Sequence, residues 1–263
     1  MIKSGSSQSK RQREEINPED CAFYGQFDKG SKGTREFFEI YPALQEKGQI
    51  IISSDNFILI PDIAPITADH LLVVPKNHFR SFASLPKSFN EEVEQIVSEA
   101  VNKMEKFHPN SEVVAFEHGM GTIDDQIIMC GGCGRTEHAH LHILPIPKGK
   151  DENVGKKLKQ TISQYLTGIK SLPLPKLDIS TLTGKFPYLY LWSSIMDSSL
   201  VFIQDSLKIT IPSQLIRKLI ATEVLKIDEK GNRWDWREYI IFNAKQGEKT
   251  LLNTLNRWGT KEL

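Results

Sequence analysis

The sequence has few cysteines, no long apolar run and no excess of charge of either sign. Three cysteines among 263 residues are too few for a disulfide framework and favour a reducing compartment. No apolar run approaches the roughly 18 residues that a membrane span needs, and the N-terminus is polar. The 33 basic residues balance the 33 acidic ones, so the charge excess that attracts nucleic acid is absent. We therefore expect a cytoplasmic protein without a membrane or nucleic-acid partner.

Short apolar runs bounded by polar residues predict five strands in the first part of the chain. They cover residues 49–53, 57–60, 70–74, 112–116 and 137–145. Ser88 and Glu91 have the spacing of a capping box, and an amphipathic helix follows to about Phe107. Strands that alternate with one long helix predict an α+β fold.

The remainder of the chain divides by composition. Residues 1–18 carry few apolar side chains and are expected to form a disordered arm. Residues 148–176 contain seven lysines and predict a basic helix followed by an extended, proline-containing linker. Residues 177–263 predict a C-terminal α+β extension with an amphipathic helix after Pro212. We expect this extension to pack against the core.

Three histidines alternate with apolar residues in one short run. His138, His140 and His142 recur at the period of a β-strand, so their imidazoles are expected to share one face. The chain has only seven histidines, and three of them lie within these five positions. An imidazole can serve as nucleophile, proton carrier or metal ligand near neutral pH. We therefore place the chemistry of the protein on this run.

The run resembles the His-φ-His-φ-His-φ-φ signature of the histidine-triad (HIT) superfamily of nucleotide hydrolases and transferases. The upstream segment agrees, because Asp62 precedes His70 by eight residues and the strand from His70 ends in Pro-Lys-Asn-His. The resemblance implies a HIT-like catalytic domain over residues 19–147. Its fold would be an antiparallel sheet with a helix packed on one face.

The resemblance also implies a role for each of these residues. His140 would be the nucleophile, and its middle position between the other two histidines favours the same assignment on geometry alone. His138 and His142 would orient its ring and hold the phosphate oxygens. His70 would fix the tautomer of a triad member, and Asp62 would hydrogen-bond the ribose hydroxyls.

The stretch before the triad departs from the family pattern. HIT hydrolases usually place Gly-Gln-Ser or Gly-Gln-Thr there, whereas this chain has Gly134, Arg135 and Thr136. Glycines can form an anion-binding nest, so these three residues are candidate phosphate ligands. The third triad position is His142, where the uridylyltransferase and phosphorylase branches carry glutamine, and this favours hydrolysis over transfer.

Two of the cysteines raise the alternative of a structural zinc site. Cys130 and Cys133 have metal-ligand spacing, but Tyr24 occupies the second place of the pair that Cys21 begins in some relatives. One cysteine pair without a partner pair is a weak signal. We expect a glycine-rich loop with incidental thiols, and neither a metal nor a cofactor in the chemistry.

These observations predict an enzyme. We expect a HIT-type nucleotide hydrolase or phosphoramidase that cleaves a phosphoanhydride or phosphoramidate at the α-phosphate of a nucleotide or dinucleoside polyphosphate, through a nucleotidyl-histidine. Two alternatives stay open: a nucleotidyltransferase with a phosphate acceptor, and a metal-dependent hydrolase or nucleotide-binding module. The expected partner is the nucleotide substrate, and a homodimer is compatible with the sequence.

Overall fold

The computed structural model describes most of the chain after the N-terminal arm. It covers residues 37–123, 126–128, 138–149, 153–175, 182, 184–205, 210–227 and 234–262. The predicted arm and several candidate residues lie outside this set. Those candidates are Cys21, Cys130, Cys133, Gly134, Arg135 and Thr136.

Eleven described strands form one large sheet and one small hairpin. In chain order they are β1 (Ile52–Ser53), β2 (Phe57–Pro61), β3 (Leu71–Pro75), β4 (Ser111–Gly119), β5 (Gly121–Ile123), β6 (Gln126–Ile128), β7 (Leu141–Pro147), β8 (Lys170–Leu174), β9 (Tyr188–Ser193), β10 (Ser199–Ile203) and β11 (Lys261–Glu262). The large sheet has the order β11-β1-β2-β3-β7-β4-β9-β10-β8, and β5 pairs with β6 alone. Every neighbouring pair is antiparallel except β1 with β11.

Five α-helices with described bounds accompany the sheet. They are α1 (Asn90–Phe107), α2 (Val154–Tyr165), α3 (Leu215–Leu219), α4 (Trp236–Phe242) and α5 (Ala244–Trp258), and α3 continues as a π-helical turn over Ile220–Val224. The antiparallel sheet with packed helices confirms the α+β class. Among the described helices, none has both the length and the apolar composition to cross a bilayer.

The start of α1 corrects one prediction. The helix begins at Asn90, and its N-cap residue is Phe89, which makes no side-chain cap. Ser88 lies instead in a 3₁₀ turn over Lys87–Phe89. The capping box that the structure contains is formed by Ser81 and Ser84, at the start of an earlier 3₁₀ turn.

The two faces of the sheet carry different apolar cores: a large core on one face, and on the other face a second large core and a small cluster of Ile58, Ile60, Leu72 and Val74. Leu141 and Ile143 of β7 pack in the core that contains Val97 of α1. Leu144 of β7 faces the other side, in the core that contains Leu158 of α2. The central strands β2 and β3 are buried on both faces, which explains their uninterrupted apolar sequences.

The histidine strand begins later than the sequence predicts. β7 starts at Leu141 rather than at residue 137, because its ladder with β3 pairs only Leu71, Leu72 and Val73. Upstream of that ladder, the amide of Ala139 donates to the carbonyl oxygen of Phe79 at 2.6 Å. The first two triad histidines therefore lie in the segment that leads into the strand.

The C-terminal part of the chain continues the same sheet. β9 pairs with β4 from Val114 opposite Ser193 to Gly119 opposite Tyr188, and β10 and β8 follow. β8 covers Lys170–Leu174, so part of the predicted linker is an edge strand, where proline is tolerated. At the other edge, β11 pairs with β1. The strands of the extension thus flank the predicted catalytic core on both sides.

Truncation after residue 176 should yield insoluble or aggregated protein. The deletion removes β9 and β10, leaves the edge of β4 unpaired, and uncovers apolar side chains of both cores. The soluble fraction after expression and size-exclusion chromatography measure this outcome. Deletion of residues 260–263, which takes away only the two-residue strand β11, is the control and should stay soluble. A soluble, cooperatively unfolding 1–176 fragment would contradict the prediction.

Candidate active site

His142 lies in the middle of the sheet with its ring held on both sides. In the strand register it is opposite Leu72 of β3 and Phe116 of β4. The Phe116 ring stacks on the imidazole, with ring centroids 4.3 Å apart and an interplanar angle of 15°. The side chain is buried, so its orientation is fixed by packing before any substrate arrives.

His140 is more exposed than the other two triad histidines. Its Nδ1 lies 2.8 Å from the carbonyl oxygen of His138. Since a carbonyl oxygen only accepts, Nδ1 must carry the proton, and neutral His140 then has its lone pair at Nε2. The His140 ring also meets the edge of His142, with centroids 4.9 Å apart. This tautomer is the one that a nucleophilic imidazole with Nε2 as the attacking atom requires.

His138 is anchored to the end of β3. Its Nε2 donates to the carbonyl oxygen of Pro75 at 2.7 Å, and its ring packs edge-on against His78 with centroids 5.0 Å apart. The side chain is buried. His138 therefore contributes both a fixed ring and the backbone carbonyl that sets the tautomer of His140.

Asp62 and His70 meet because they lie across the end of the β2–β3 ladder. The amide of Asp62 donates to the carbonyl oxygen of His70 at 2.9 Å, which explains their spacing in the sequence. His70 Nε2 lies 3.0 Å from Nδ1 of His142 and 3.4 Å from Oδ2 of Asp62. The same carboxylate oxygen lies 3.3 Å from Nδ1 of His142. Two imidazoles and one carboxylate thus share a buried contact.

Arg217 of α3 completes this group from the C-terminal extension. Its Nη1 donates to Oδ2 of Asp62 at 2.7 Å, while Oδ1 of Asp62 accepts the amide of Ala64 at 2.7 Å. Both members of the Asp62–Arg217 pair are about 95% buried or more. The carboxylate is thereby bound by protein donors, and ribose binding by Asp62 stays a prediction.

Asp62, His70 and His142 also form the one described group whose side chains are close enough to share a metal ion, with ligand atoms within 4.8 Å of one another. Two features favour a hydrogen-bonded network instead. The Arg217 guanidinium already lies against the carboxylate oxygen that would bind the cation. His70 Nδ1 faces the amide N–H of Ile66 at 3.3 Å, whereas a metal-bound imidazole donates from its second nitrogen to an acceptor.

The buried histidines are held neutral. Burial lowers the pKa of His70 to about 4, although Asp62 opposes that shift. Burial likewise lowers the pKa of His138 to about 4 and holds the pKa of His142 well below 6.5. Burial alone would raise the pKa of Asp62, but Arg217 and then His70 hold the pKa of that carboxyl well below its usual range. At neutral pH the group is one carboxylate, one guanidinium and neutral imidazoles.

Sequence reasoning missed three contributors to this site. Arg217 follows Asp62 by 155 positions, and in the sequence it is a cation in an amphipathic helix. In the sequence, nothing distinguishes Phe116 from the other apolar residues of its strand. His118, whose Nε2 is buried without a hydrogen-bond partner among the described residues, has its pKa lowered to about 4 by burial and by His140. For Arg217, the available signal is a charged side chain beside apolar residues of the helix.

Stability should fall as the pH is lowered from about 6.5 toward 4. In that range the unfolded chain binds protons that folded His70 and His138 do not, because folding lowers their pKa from 6.5 to about 4. Each of the two histidines should lower the free energy of unfolding by on the order of 2 kcal/mol at pH 5 relative to pH 7.5. Urea unfolding at the two pH values measures the difference.

His70→Gln provides the control for this prediction. The amide does not titrate, so the loss of stability between pH 7.5 and pH 5 should be smaller than in the wild-type protein. Equal unfolding free energies of the wild type at both pH values would show that these imidazoles are not buried in the neutral form.

The sequence of this region matches known proteins. Residues 35–159 match the family model described as "Scavenger mRNA decapping enzyme C-term binding". An uncharacterized HIT-like protein of Borreliella burgdorferi is 26% identical over 125 residues, which cover 47% of this chain and 83% of the relative. An uncharacterized HIT-like protein of Saccharolobus solfataricus is 27% identical over 104 residues, which cover 38% of this chain and 66% of the relative.

Solved structures are similar over part or most of the chain. A hypothetical histidine triad nucleotide-binding protein from Sulfolobus tokodaii has 17% identity and a TM-score of 0.29, covering 44% of this chain and 73% of that one. Yeast Ap4A phosphorylase in complex with AMP has 12% identity and a TM-score of 0.36, covering 89% and 83%. Neither superposition is close enough to transfer a function. The sequence matches and the spacing of Asp62, His70 and the three histidines support a histidine-triad superfamily protein over the matched segment.

Proposed function

We propose that the protein is a nucleotide hydrolase that works through a nucleotidyl-histidine at His140. One observation carries the proposal. His140 is the partly exposed histidine of the triad, and its Nδ1–H is bound to the carbonyl oxygen of His138, which leaves the lone pair at Nε2. A neutral imidazole in this tautomer is an effective nucleophile toward phosphorus.

The proposed reaction has two displacements at the same phosphorus. Nε2 of His140 forms a bond to the α-phosphorus, and the bond to the leaving oxygen or nitrogen breaks as that atom takes the electron pair and a proton from solvent. Water then attacks the phosphorus and gives a proton to solvent, the N–P bond breaks with its electron pair returning to Nε2, and a nucleoside monophosphate leaves. A covalent route of this kind replaces one difficult displacement by two easier ones.

The surrounding residues are proposed to stabilise the charge on the phosphate oxygens. His142 contacts the His140 ring, and the His70–His142 bond fixes which nitrogen of His142 carries its proton. Donors held in place before the reaction need no reorganisation as negative charge develops. Gly134, Arg135 and Thr136 are proposed phosphate ligands from the preceding segment. Hydrolysis, rather than transfer to a phosphate acceptor, is proposed because the third triad residue is histidine.

His140→Asn should abolish turnover and covalent labelling while leaving the fold intact, because an amide keeps polarity but cannot attack phosphorus. The substrate panel comprises adenosine and guanosine phosphoramidates, dinucleoside polyphosphates and a cap dinucleotide, the last because of the name of the matching family model. Alkaline quench and mass spectrometry should detect a nucleoside-monophosphate increment on the His140 peptide of the wild type. Product that depends on added phosphate acceptor would indicate a transferase instead.

The matched control is His108→Asn. His108 is bonded to Asp69 at 2.6 Å and does not belong to the triad group, so its variant should keep wild-type turnover. If His140→Asn retains more than about a tenth of the wild-type rate, the substitution has raised the activation barrier by less than roughly 1.4 kcal/mol. His140 is then not the nucleophile.

A second prediction tests ribose recognition by Asp62. If the carboxylate binds ribose hydroxyls, Asp62→Asn should raise KM for ribonucleotides more than for 2′-deoxyribonucleotides, because only the ribose substrate loses a charge-assisted hydrogen bond. Steady-state kinetics with matched sugar pairs measure the ratio. Equal increases in KM with both sugars would show that Asp62 does not contact the ribose. Asp62 would then act only through its contacts with His70 and His142.

A further inference from the structure

The C-terminal extension places a guanidinium behind the triad. Arg217 is 4% exposed, and its nitrogens donate to Oδ2 of Asp62 at 2.7 Å, to the carbonyl oxygen of Ala64 at 2.6 Å and to that of Trp234 at 2.9 Å. The planar fork thus joins the end of β2 to two segments of the extension. Lysine does not present such a fork, because its ammonium is a point charge on a flexible stem.

This guanidinium lies against the carboxylate oxygen that faces both imidazoles. Oδ2 of Asp62 lies within 3.4 Å of both His70 and His142. A buried carboxylate at that distance favours the protonated form of an imidazole, whereas a nearby cation disfavours it. Among the described residues, the charged and titratable groups that act on the two imidazoles are Asp62, Arg217, His140 and the imidazoles themselves. Arg217 is the cation in that group.

The neutral state matters because the hydrogen bond between Nε2 of His70 and Nδ1 of His142 contains a single proton. His70 Nδ1 accepts the amide of Ile66, so neutral His70 carries its proton at Nε2. That proton points to Nδ1 of His142, 3.0 Å away, and leaves the proton of His142 on Nε2. A second proton on the pair would bring two N–H groups face to face and break the bond.

We propose that Arg217 is a positioning residue of the triad: its guanidinium compensates the buried Asp62 carboxylate, so that His70 and His142 stay neutral and keep a single tautomer. The extension would then be part of the reactive site and not only a cover for the sheet. The consequence for turnover rests on the proposed hydrolase function. The protonation state of the two imidazoles does not, and it is measured separately.

A second arginine of the extension supplies the matched control. Arg257 of α5 pairs with Asp69, whose side chain is buried, and His108 contacts the same carboxylate oxygen at 2.6 Å. This is again an arginine, an aspartate and a histidine that join the extension to the loop between β2 and β3. It differs in that its histidine is outside the triad. If removing an arginine acted only by loosening the packing of the extension, removal of Arg217 and removal of Arg257 should have the same effect.

The test compares Arg217→Met with Arg257→Met in the full-length protein by ¹⁵N–¹H NMR of the imidazole nitrogens. In Arg217→Met, the titration midpoint of His70 or His142 should rise by about one pH unit or more, with the loss of the single tautomer. In Arg257→Met, both should titrate as in the wild type. Unchanged midpoints in Arg217→Met, or equal shifts in both variants, would overturn the proposal.

Two further variants keep the comparison decisive if Arg217→Met does not fold. Arg217→Lys keeps a cation without the fork and should give a smaller shift in the same direction. Asp62→Asn combined with Arg217→Met removes both buried charges and should return the midpoints of the two imidazoles to wild-type values. Midpoints that stay raised in the double variant, or a larger shift in Arg217→Lys than in Arg217→Met, would contradict charge compensation.

Turnover of a nucleoside phosphoramidate is measured alongside. Arg217→Met should move the acid limb of kcat/KM upward with the NMR midpoint, which lowers kcat/KM about twofold or more at pH 5 and leaves it close to the wild-type value at pH 7. Arg257→Met should keep the wild-type pH profile. A shifted midpoint with an unchanged acid limb would reject the positioning role. If the wild type turns over none of the panel, the proposed function fails, and NMR still decides the protonation role of Arg217.

Discussion

A buried carboxylate between two imidazoles is the constraint around which this molecule is arranged. Removing Asp62 from water is costly unless its charge is compensated and its oxygens accept hydrogen bonds. The amide of Ala64 and the guanidinium of Arg217 meet both conditions. Because Arg217 comes from α3, the strands that carry the histidines and the extension form one structural unit at this point. The same helix packs Leu215 and Ile216 into the second core.

The sheet explains why the histidines differ from one another. Alternation along β7 directs Leu141 and Ile143 to the core beneath α1 and leaves His142 on the opposite face, against Phe116. His140 precedes the ladder, where no strand partner covers it, and it is therefore the more exposed residue. One alternating sequence thus produces a fixed, buried imidazole and an accessible one side by side.

Local patterns predicted the central elements well and the boundaries less well. The apolar runs of β2 and β3 and the periodicity of α1 are local properties, and the structure contains these elements within one or two residues of the predicted positions. The start of β7 was wrong because a strand begins where its partner β3 provides a ladder. Pro173 was assigned to a linker, although at the edge of a sheet a missing N–H costs no ladder bond.

The sequence by itself determined which histidines and which aspartate meet at the candidate site. Strand period in the histidine run and the eight-residue spacing from Asp62 to His70 are short-range patterns, and each one follows from pairing within two neighbouring strands. Only the tertiary structure decided how those residues are protonated. The tautomer of His140 depends on a backbone carbonyl, burial in the folded sheet lowers the pKa of His70 and of His142, and the carboxylate beside them is paired with Arg217, 155 positions from Asp62. No local period encodes a contact of that length, because it forms only when α3 packs on the completed sheet.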